Sequence, residues 1–332
     1  MADDPELERP DGGNAEGGPV KTFLDHLEDL RWVLIKSSIA VAVAMLLCLI
    51  AGDKVVGLLK RPLDHAYVYY SGTNQVVTVF YGTNKLGVFP VPQTAESSTH
   101  LGTNRFVAVR IDPVILGTNQ VLGWNIDDTP GAAESARKMK IDLVNLSPAG
   151  GFWVAFQVAM YGGIILAAPL LLYFITSFVF PALKMKERKY VYRGMCYGLG
   201  LFFTGVTFCY FVLLPFALAA SQRYSEWLGF TAFQWRAEDY ISFVCKFMLG
   251  MGLGFEMPVV ILTLVKIGVL NYSLLAKGRR YMIIINLILG ALLTTPEVLT
   301  QIIMFIPLQG LYEISIWIAW WWERKDRRRK AA

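Results

Sequence analysis

The sequence predicts an all-α polytopic membrane protein. Six transmembrane helices, with both termini cytoplasmic, are expected to carry a small β-rich extramembrane insertion between the first two. Three observations predict this. Of 332 residues, 55% are hydrophobic and 17% charged, against about 45–50% and about 25% in soluble domains. The charges cluster, leaving uncharged runs at 143–183, 194–222 and 281–296, and a helix crosses a hydrocarbon core with roughly 20 mostly apolar residues. Finally, Lys and Arg crowd into the short connections between these runs. This composition excludes the ordinary soluble enzyme classes. The net charge of +5 resides beside apolar runs, as membrane topology demands, which argues against nucleic-acid binding.

The first twenty residues, acidic and rich in Gly and Pro, read as a disordered cytoplasmic tail (1–20). A secretory signal starts basic and a transit peptide is acidic-poor, so neither fits. Residues 21–66 hold an N-terminal motif and the first span, about 32–52, interrupted only by Lys36, whose amine reaches back to the headgroups. The second span, about 152–180, lies inside a run too long for one crossing; Ser147-Pro148 offers its start, Pro169 a kink and Pro181 its boundary. The third is about 194–220. The fourth, about 240–265, contains Lys246 and Glu256. The fifth and sixth, 281–294 and 298–322, form a tight hairpin around Thr295-Pro296-Glu297. Spans two to six make the core, 146–322, and a basic cytoplasmic tail follows at 323–332.

Orientation follows from the short loops. Lys184, Lys186, Arg188, Lys189 and Arg193 lie between spans two and three, and Lys277, Arg279 and Arg280 between four and five. The final tail holds Arg324, Lys325, Arg327, Arg328, Arg329 and Lys330, whereas the loop between three and four has only Arg223 and Arg236. The basic side is therefore cytoplasmic. Span five is short, about 21 Å long against a core of about 30 Å. Either the bilayer thins beside it or neighbouring helices shield it from lipid.

Residues 67–145 far exceed a helix connection. Gly-Thr-Asn recurs there at 72–74, 82–84, 102–104 and 117–119, separated by β-branched and aromatic stretches. Such triplets mark turns and the stretches between them strands, so a β-hairpin module on the outer side is expected. Their unequal spacing disfavours a solenoid. A lineage-specific insertion without function is the plain alternative.

Reaction chemistry has no place to live here. The three histidines, His26, His65 and His100, lie outside the spans. No HExxH, GxSG or GxxxxGK[ST] occurs, which argues against an enzyme or an ATPase. No cofactor or metal is expected. The four cysteines, Cys48, Cys196, Cys209 and Cys245, fall in apolar segments without a CxxC and read as small core residues. Gly250-Met-Gly-Leu-Gly254, and Gly194, Gly198 and Gly205, read as close-packing helix faces.

What remains is charge placement. A carboxylate inside a span, here Glu256, costs at least about 2.5 kcal/mol and is by default a functional candidate; capping of backbone freed by Pro258 is the structural alternative. Lys246 reads as a residue reaching the outer headgroups. On the cytoplasmic side, Glu187 lies in Lys184-Met-Lys-Glu-Arg-Lys189, and Asp29, beside Glu28, opens span one. Local neutralisation and helix capping would explain both. So would a pair of anionic sockets for guanidinium groups, which carboxylates bind with two parallel hydrogen bonds.

These residues resemble the TatC family, the receptor subunit of the twin-arginine protein translocase. The likeness is carried by His26-Leu-Glu-Asp-Leu-Arg31, Leu146-Ser-Pro148, Phe178-Val-Phe-Pro-Ala-Leu183 with Glu187-Arg-Lys189, and Tyr210-Phe-Val-Leu-Leu-Pro215. It continues through Tyr240-Ile-Ser-Phe-Val244, Phe255-Glu-Met-Pro258, Leu293-Thr-Thr-Pro-Glu297, Ile306-Pro307 and Tyr312-Glu-Ile314. The resemblance implies a glove-shaped six-span receptor in the bacterial inner membrane. It would recognise paired arginines on the signal peptides of folded cargo and draw on the proton motive force.

By the same resemblance, Glu187 and Asp29 would take the arginines, with Phe178, Glu28 and Arg31 beside them. Glu256, Tyr210 and Pro215 would line the concave face. Glu297 and Gln301 would lie where TatA/TatB partner helices dock, and the receptor would form a homo-oligomer within the complex. Three positions depart from the family pattern: Asp29 replaces the usual Glu, Glu297 the usual Asp, and Val33 a frequent basic residue. A second reading from the residues alone is a secondary transporter with Glu256 as a proton or ion site, although no repeated halves are evident.

Overall fold

In the computed structural model the described residues are 23–65, 75–82, 84–91, 106–116, 119–127, 141–179, 185–229, 234–294 and 297–331. Helix α1 (Phe23–Ile50) is followed after one residue by α2 (Gly52–His65). A β module comes next, then α3 (Gly150–Val179), α4 (Met185–Phe208) and α5 (Leu214–Trp227). The last three helices are α6 (Ala237–Ile267), α7 (Tyr272–Leu293) and α8 (Val298–Ala331).

Among the described residues, five helical segments are long and apolar enough to cross a membrane. They are α1, α3, the α4–α5 unit (Arg188–Ser225), α6 and α8. Lys277, Arg279 and Arg280 occupy the first half of α7, so its uncharged part is confined to 281–293. Its Ile284, Ile288 and Leu292 are exposed, so this chain alone does not shield it from lipid.

Helix contacts rest on small residues. A Cβ on Gly163 would meet the Met45 backbone and one on Gly162 the Cys48 Sγ, so α1 and α3 run antiparallel in close contact. The α4–α6 pair is held the same way. A Cβ on Gly194 would meet Thr263, one on Gly198 Glu256, and one on Gly205 Met251 O at 2.8 Å, an antiparallel seam. Within 250–254 the glycines serve two neighbours, because two residues turn a helix by about 200°. Gly252 admits Phe202 of α4, while Gly250 and Gly254 admit Met304 and Leu308 of α8. With lipid on the outside, such van der Waals closeness, not hydrophobic exclusion, drives helix association. The core between these helices is built from Ile241, Val244, Phe247, Met251, Leu214 and Met304, all fully buried.

Between α2 and α3 lie β1 (Gln75–Tyr81), β2 (Asn84–Val91), β3 (Phe106–Leu116) and β4 (Asn119–Ile126). Their order is β2-β1-β3-β4, two antiparallel hairpins joined by parallel pairing of β1 with β3. Between β1 and β2, Gly82 adopts φ +57°, a region glycine enters without steric cost, and Thr83 lies outside the described residues. The element bounds place the 117–119 triplet at the second turn; Gly117 and Thr118, and the triplets at 72–74 and 102–104, lie outside the described residues. A short parallel pair, β5 (Asp142–Val144) and β6 (Gln234–Arg236), ties the leads into α3 and α6 together.

Three features differ from the sequence reading. The stretch 52–65, grouped there with the first span, is a separate amphipathic helix, with Leu59 and Leu63 buried and Lys54, Lys60 and Arg61 exposed. The third span does not stop near 220 but runs through a wide π turn (Cys209–Leu213) to Trp227. The tail at 323–332 continues α8 as helix to Ala331, where Glu323 pairs with Arg327 one turn on at 3.4 Å.

The seam gives a direct test. Gly205→Ala forces α4 off the Met251 carbonyl and is expected to destabilise the protein by about 1–3 kcal/mol. Gly200→Ala, with no atom within 4 Å of the new Cβ, is expected to be neutral or slightly stabilising. Denaturant unfolding of both variants in micelles makes the comparison.

Candidate functional site

The helix registers gather the charged positions at one end. Counting fifteen residues from the Met45–Gly163 contact brings Leu30 level with Phe178, about 22 Å along the pair. Glu28 and Arg31 are exposed there; Asp29 and Phe178 are half-buried, and each has a partner. Glu187 is the third residue of α4. The α4–α6 register carries its backbone level with Gly268, the left-handed cap (φ +87°) that ends α6. Its side chain lies outside the described residues, so no contact of the Glu187 carboxylate is described.

The same end holds an aromatic and basic collar. Lys266 Nζ lies 3.9 Å from the Trp322 ring centroid, and Arg324 and Lys325 stand over Trp320 and Trp321. Arg279 pairs with Glu313 at 3.0 Å, and Tyr312 donates to Leu275 O at 2.9 Å, fixing α7 on α8. Because both members of the Arg279–Glu313 pair are about half exposed, it contributes at most about 1 kcal/mol.

Glu256 lies eleven residues before the end of α6, about 17 Å from that end. Its side chain crosses to α4 over Gly198, where a Cβ would meet Oε2 at 2.5 Å. Its Oε1 is buried without a hydrogen-bond partner. Among the described residues no hydrogen bond from the backbone near Pro258 reaches this carboxylate, as capping there would require. Lys246, ten residues earlier, is half-buried and has no ion pair among the described residues.

The opposite end is clasped by hydroxyls. Tyr210 donates to Leu58 O and Tyr240 to Leu59 O, both at 2.8 Å, so two helices of the bundle hold α2 by its backbone. Pro215 explains how Tyr210 is aimed. Lacking an N–H, it cannot continue the α-helical ladder, and the chain widens to a π turn just before it, with Leu214 N bonding Cys209 O. Ser147 donates to Glu238 at 3.1 Å and Arg236 pairs with the same carboxylate at 3.3 Å. Ser221 donates to Glu297 at 2.9 Å. Around that bond lies a cavity of about 280 Å³, lined by Leu218, Ser225, Trp235, Asp239, Phe243 and Thr300 among others. Gln301 donates to Leu287 O at 3.0 Å and packs over Gly290.

The structure therefore brings Asp29 and Phe178 to one level and Glu297 and Gln301 to another, with Glu256 between them in depth. Sequence reasoning missed α2, Tyr240 and the Ser221–Glu297 bond. The signal for α2 was present: Val55, Val56, Leu59 and Leu63 recur at helical spacing between charged residues. Among the described residues no cluster of His, Cys, Asp and Glu could hold a metal. Cys48, Cys209 and Cys245 are buried as expected, whereas Cys196 is exposed on α4.

Each tyrosine bond to α2 contributes about 1 kcal/mol. Tyr240→Phe and Tyr210→Phe are each expected to raise amide exchange along α2 about fivefold and to leave α6 unchanged, as read by hydrogen–deuterium exchange in micelles.

Comparison with known proteins agrees with this architecture. The family model of the Sec-independent protein translocase protein (TatC) matches residues 25–307. A TatC from Akkermansia muciniphila is 40% identical over 200 residues, covering 60% of this chain and 56% of that protein, so the match spans little more than half of that relative. One from Aquifex aeolicus is 38% identical over 183 residues, covering 54% and 74% respectively. A crystal structure of the twin-arginine translocase receptor TatC superposes with a TM-score of 0.61 at 26% identity, covering 89% of this chain and 97% of the other. A multi-pass helical membrane protein with these glycine-seamed helices and a family match over most of its length, this chain belongs to the TatC family.

Proposed function

We propose that this chain is the core receptor of a twin-arginine translocase. It crosses the bacterial cytoplasmic membrane six times with both termini cytoplasmic, α7 being the short fifth crossing. The observation that supports the reading is that the α1 start is level with the α3 end, and the α4 start with the end of α6. Asp29 and Phe178 belong to the first pair and Glu187 to the second, and Arg188, Lys266, Arg279 and Arg324 belong to the same end of the bundle. A basic rim of this kind is what the positive-inside bias expects of a cytoplasmic face. Carboxylates set among basic side chains suit a ligand that offers two guanidinium groups. Phe178 supplies an apolar wall beside them, and Glu28 and Arg31 flank the socket.

On this reading the signal peptide of a folded cargo protein docks at the cytoplasmic end. Glu256, with Tyr210 and Pro215, lines the concave face of a glove-shaped bundle. TatA/TatB-type single-span helices dock near Glu297 and Gln301, copies of the receptor assemble within the complex, and the proton motive force drives transfer. The alternative transporter reading draws on the buried, unpartnered Glu256 Oε1. Proton-coupled uptake of a small solute by the reconstituted chain alone would decide for it.

Glu187→Ala is expected to abolish export of twin-arginine cargo while the protein still inserts in the membrane. Photocrosslinking from positions 29 and 187 is expected to capture a twin-arginine signal peptide and not its twin-lysine counterpart. Undiminished export by Glu187→Ala would refute the socket.

A further inference from the structure

The β module contains a feature that no role above uses. Pairing of β1 with β3 ends at Tyr81 and Ile111, while β3 and β4 remain paired out to Leu116 and Asn119. The hairpin therefore extends past the four-stranded sheet as a two-stranded ribbon of about 17 Å. Pro113, which cannot donate to a neighbouring strand, sits in this part, where β3 has a free side. From Pro113 to Ile126 no residue is charged. Such a ribbon is marginal by itself in water.

Its two faces differ. Register places Ile111, Pro113 and Ile115 opposite Trp124, Leu122 and Gln120 on one face. Ile115 is 73% exposed, Leu122 63% and Trp124 71%. The same face continues inward to the buried Val77, Val79, Val107 and Val109. The other face carries Asp112, Asn125 and the Arg110–Asp127 pair at 2.8 Å, and its Val114 closes over Gly123. Among the described residues the module makes no extensive contact with the helices, and Ile115, Leu122 and Trp124 stay exposed.

We infer that this face of the β3–β4 ribbon lies on the lipid surface at the outer end of the bundle, with Ile115, Leu122 and Trp124 in the interfacial layer. Tethering supports lipid as the occupant. The nine residues 66–74 reach at most about 30 Å from the end of α2, which Tyr210 and Tyr240 hold on the bundle, and the thirteen residues 128–140 about 45 Å from the lead into β5. The module thus stays within reach of the bilayer at all times. Chemistry supports it too: a charge-free aliphatic face with a tryptophan suits the membrane–water interface, and the charges on the opposite face stay in water. The ribbon would hold the module at a fixed height, as an amphipathic helix does when it lies in the interface.

The test uses the full chain with its four cysteines replaced by alanine or serine. Single cysteines are introduced by Ile115→Cys, Leu122→Cys or Asn125→Cys, all at exposed positions where the substitution is accommodated. Each is labelled with a nitroxide and reconstituted in nanodiscs of palmitoyl-oleoyl phosphatidylethanolamine and phosphatidylglycerol. Labels at 115 and 122 are expected to collide with lipid-dissolved oxygen and to be shielded from a water-soluble nickel chelate, and the label at 125 to do the reverse. Adding Leu122→Glu to the Ile115→Cys chain is expected to return the 115 label to water. Three water-exposed labels, or a 125 label in lipid, overturn the proposal. So does shielding from both agents, or spin–spin broadening between copies, either of which assigns the face to protein.

Discussion

Absence of a side chain at a few positions on α4 and α6 is the constraint on which the rest depends. Hydrocarbon outside a bundle removes the hydrophobic drive that holds soluble helices together, so attraction rests on how closely backbones approach. Gly194, Gly198 and Gly205 on α4 and Gly252 on α6 bring the pair into contact. Gly250 and Gly254, on the other side of α6, do the same for α8. Helix α6 thereby becomes the central member, and its register decides the level of everything attached to it. Glu256 crosses over Gly198 for the same reason: only a missing Cβ leaves room for a carboxylate between the helices.

That register separates two chemically different ends. At one end, cations lie over indole rings and the last turns of α8 are basic. Electrostatics there is screened and each pair weak, so the collar acts through its summed field. At the other end, the neutral hydroxyls of Tyr210 and Tyr240 bond to carbonyls of α2 and fix it over the bundle, and Ser221 donates to Glu297 just before α8. The hydroxyl clasp does not depend on ionic strength, whereas the basic end does.

Much of the architecture was legible because it rests on one-dimensional properties. Apolar runs located α3 and α6 to within about three residues, since hydrocarbon thickness sets a minimum apolar length, but stopped short of the ends of the α4–α5 unit and of the end of α8. The seam glycines could be picked out because glycine inside an apolar helix costs stability unless something approaches closely. The β-branched and aromatic stretches at 75–81, 105–111 and 114–116 fall where β1 and β3 form, whereas β2 and β4 were not singled out. Helix α2 was lost because its fourteen residues abut span one with a single residue between them. The π turn was lost because its cause, Pro215, reads equally well as an ordinary kink.

The sequence by itself determined which segments are apolar, where the cations concentrate, and that Glu256 lies inside a span, because each is a property of composition along one strand of chain. Only the tertiary structure decided what each of these meets. That Glu256 faces Gly198, that Tyr240 grips the backbone of α2, and that Asp29 stands level with Phe178 all depend on inter-helix register. Register is set by the shapes of two surfaces together, and neither surface is written in any single segment.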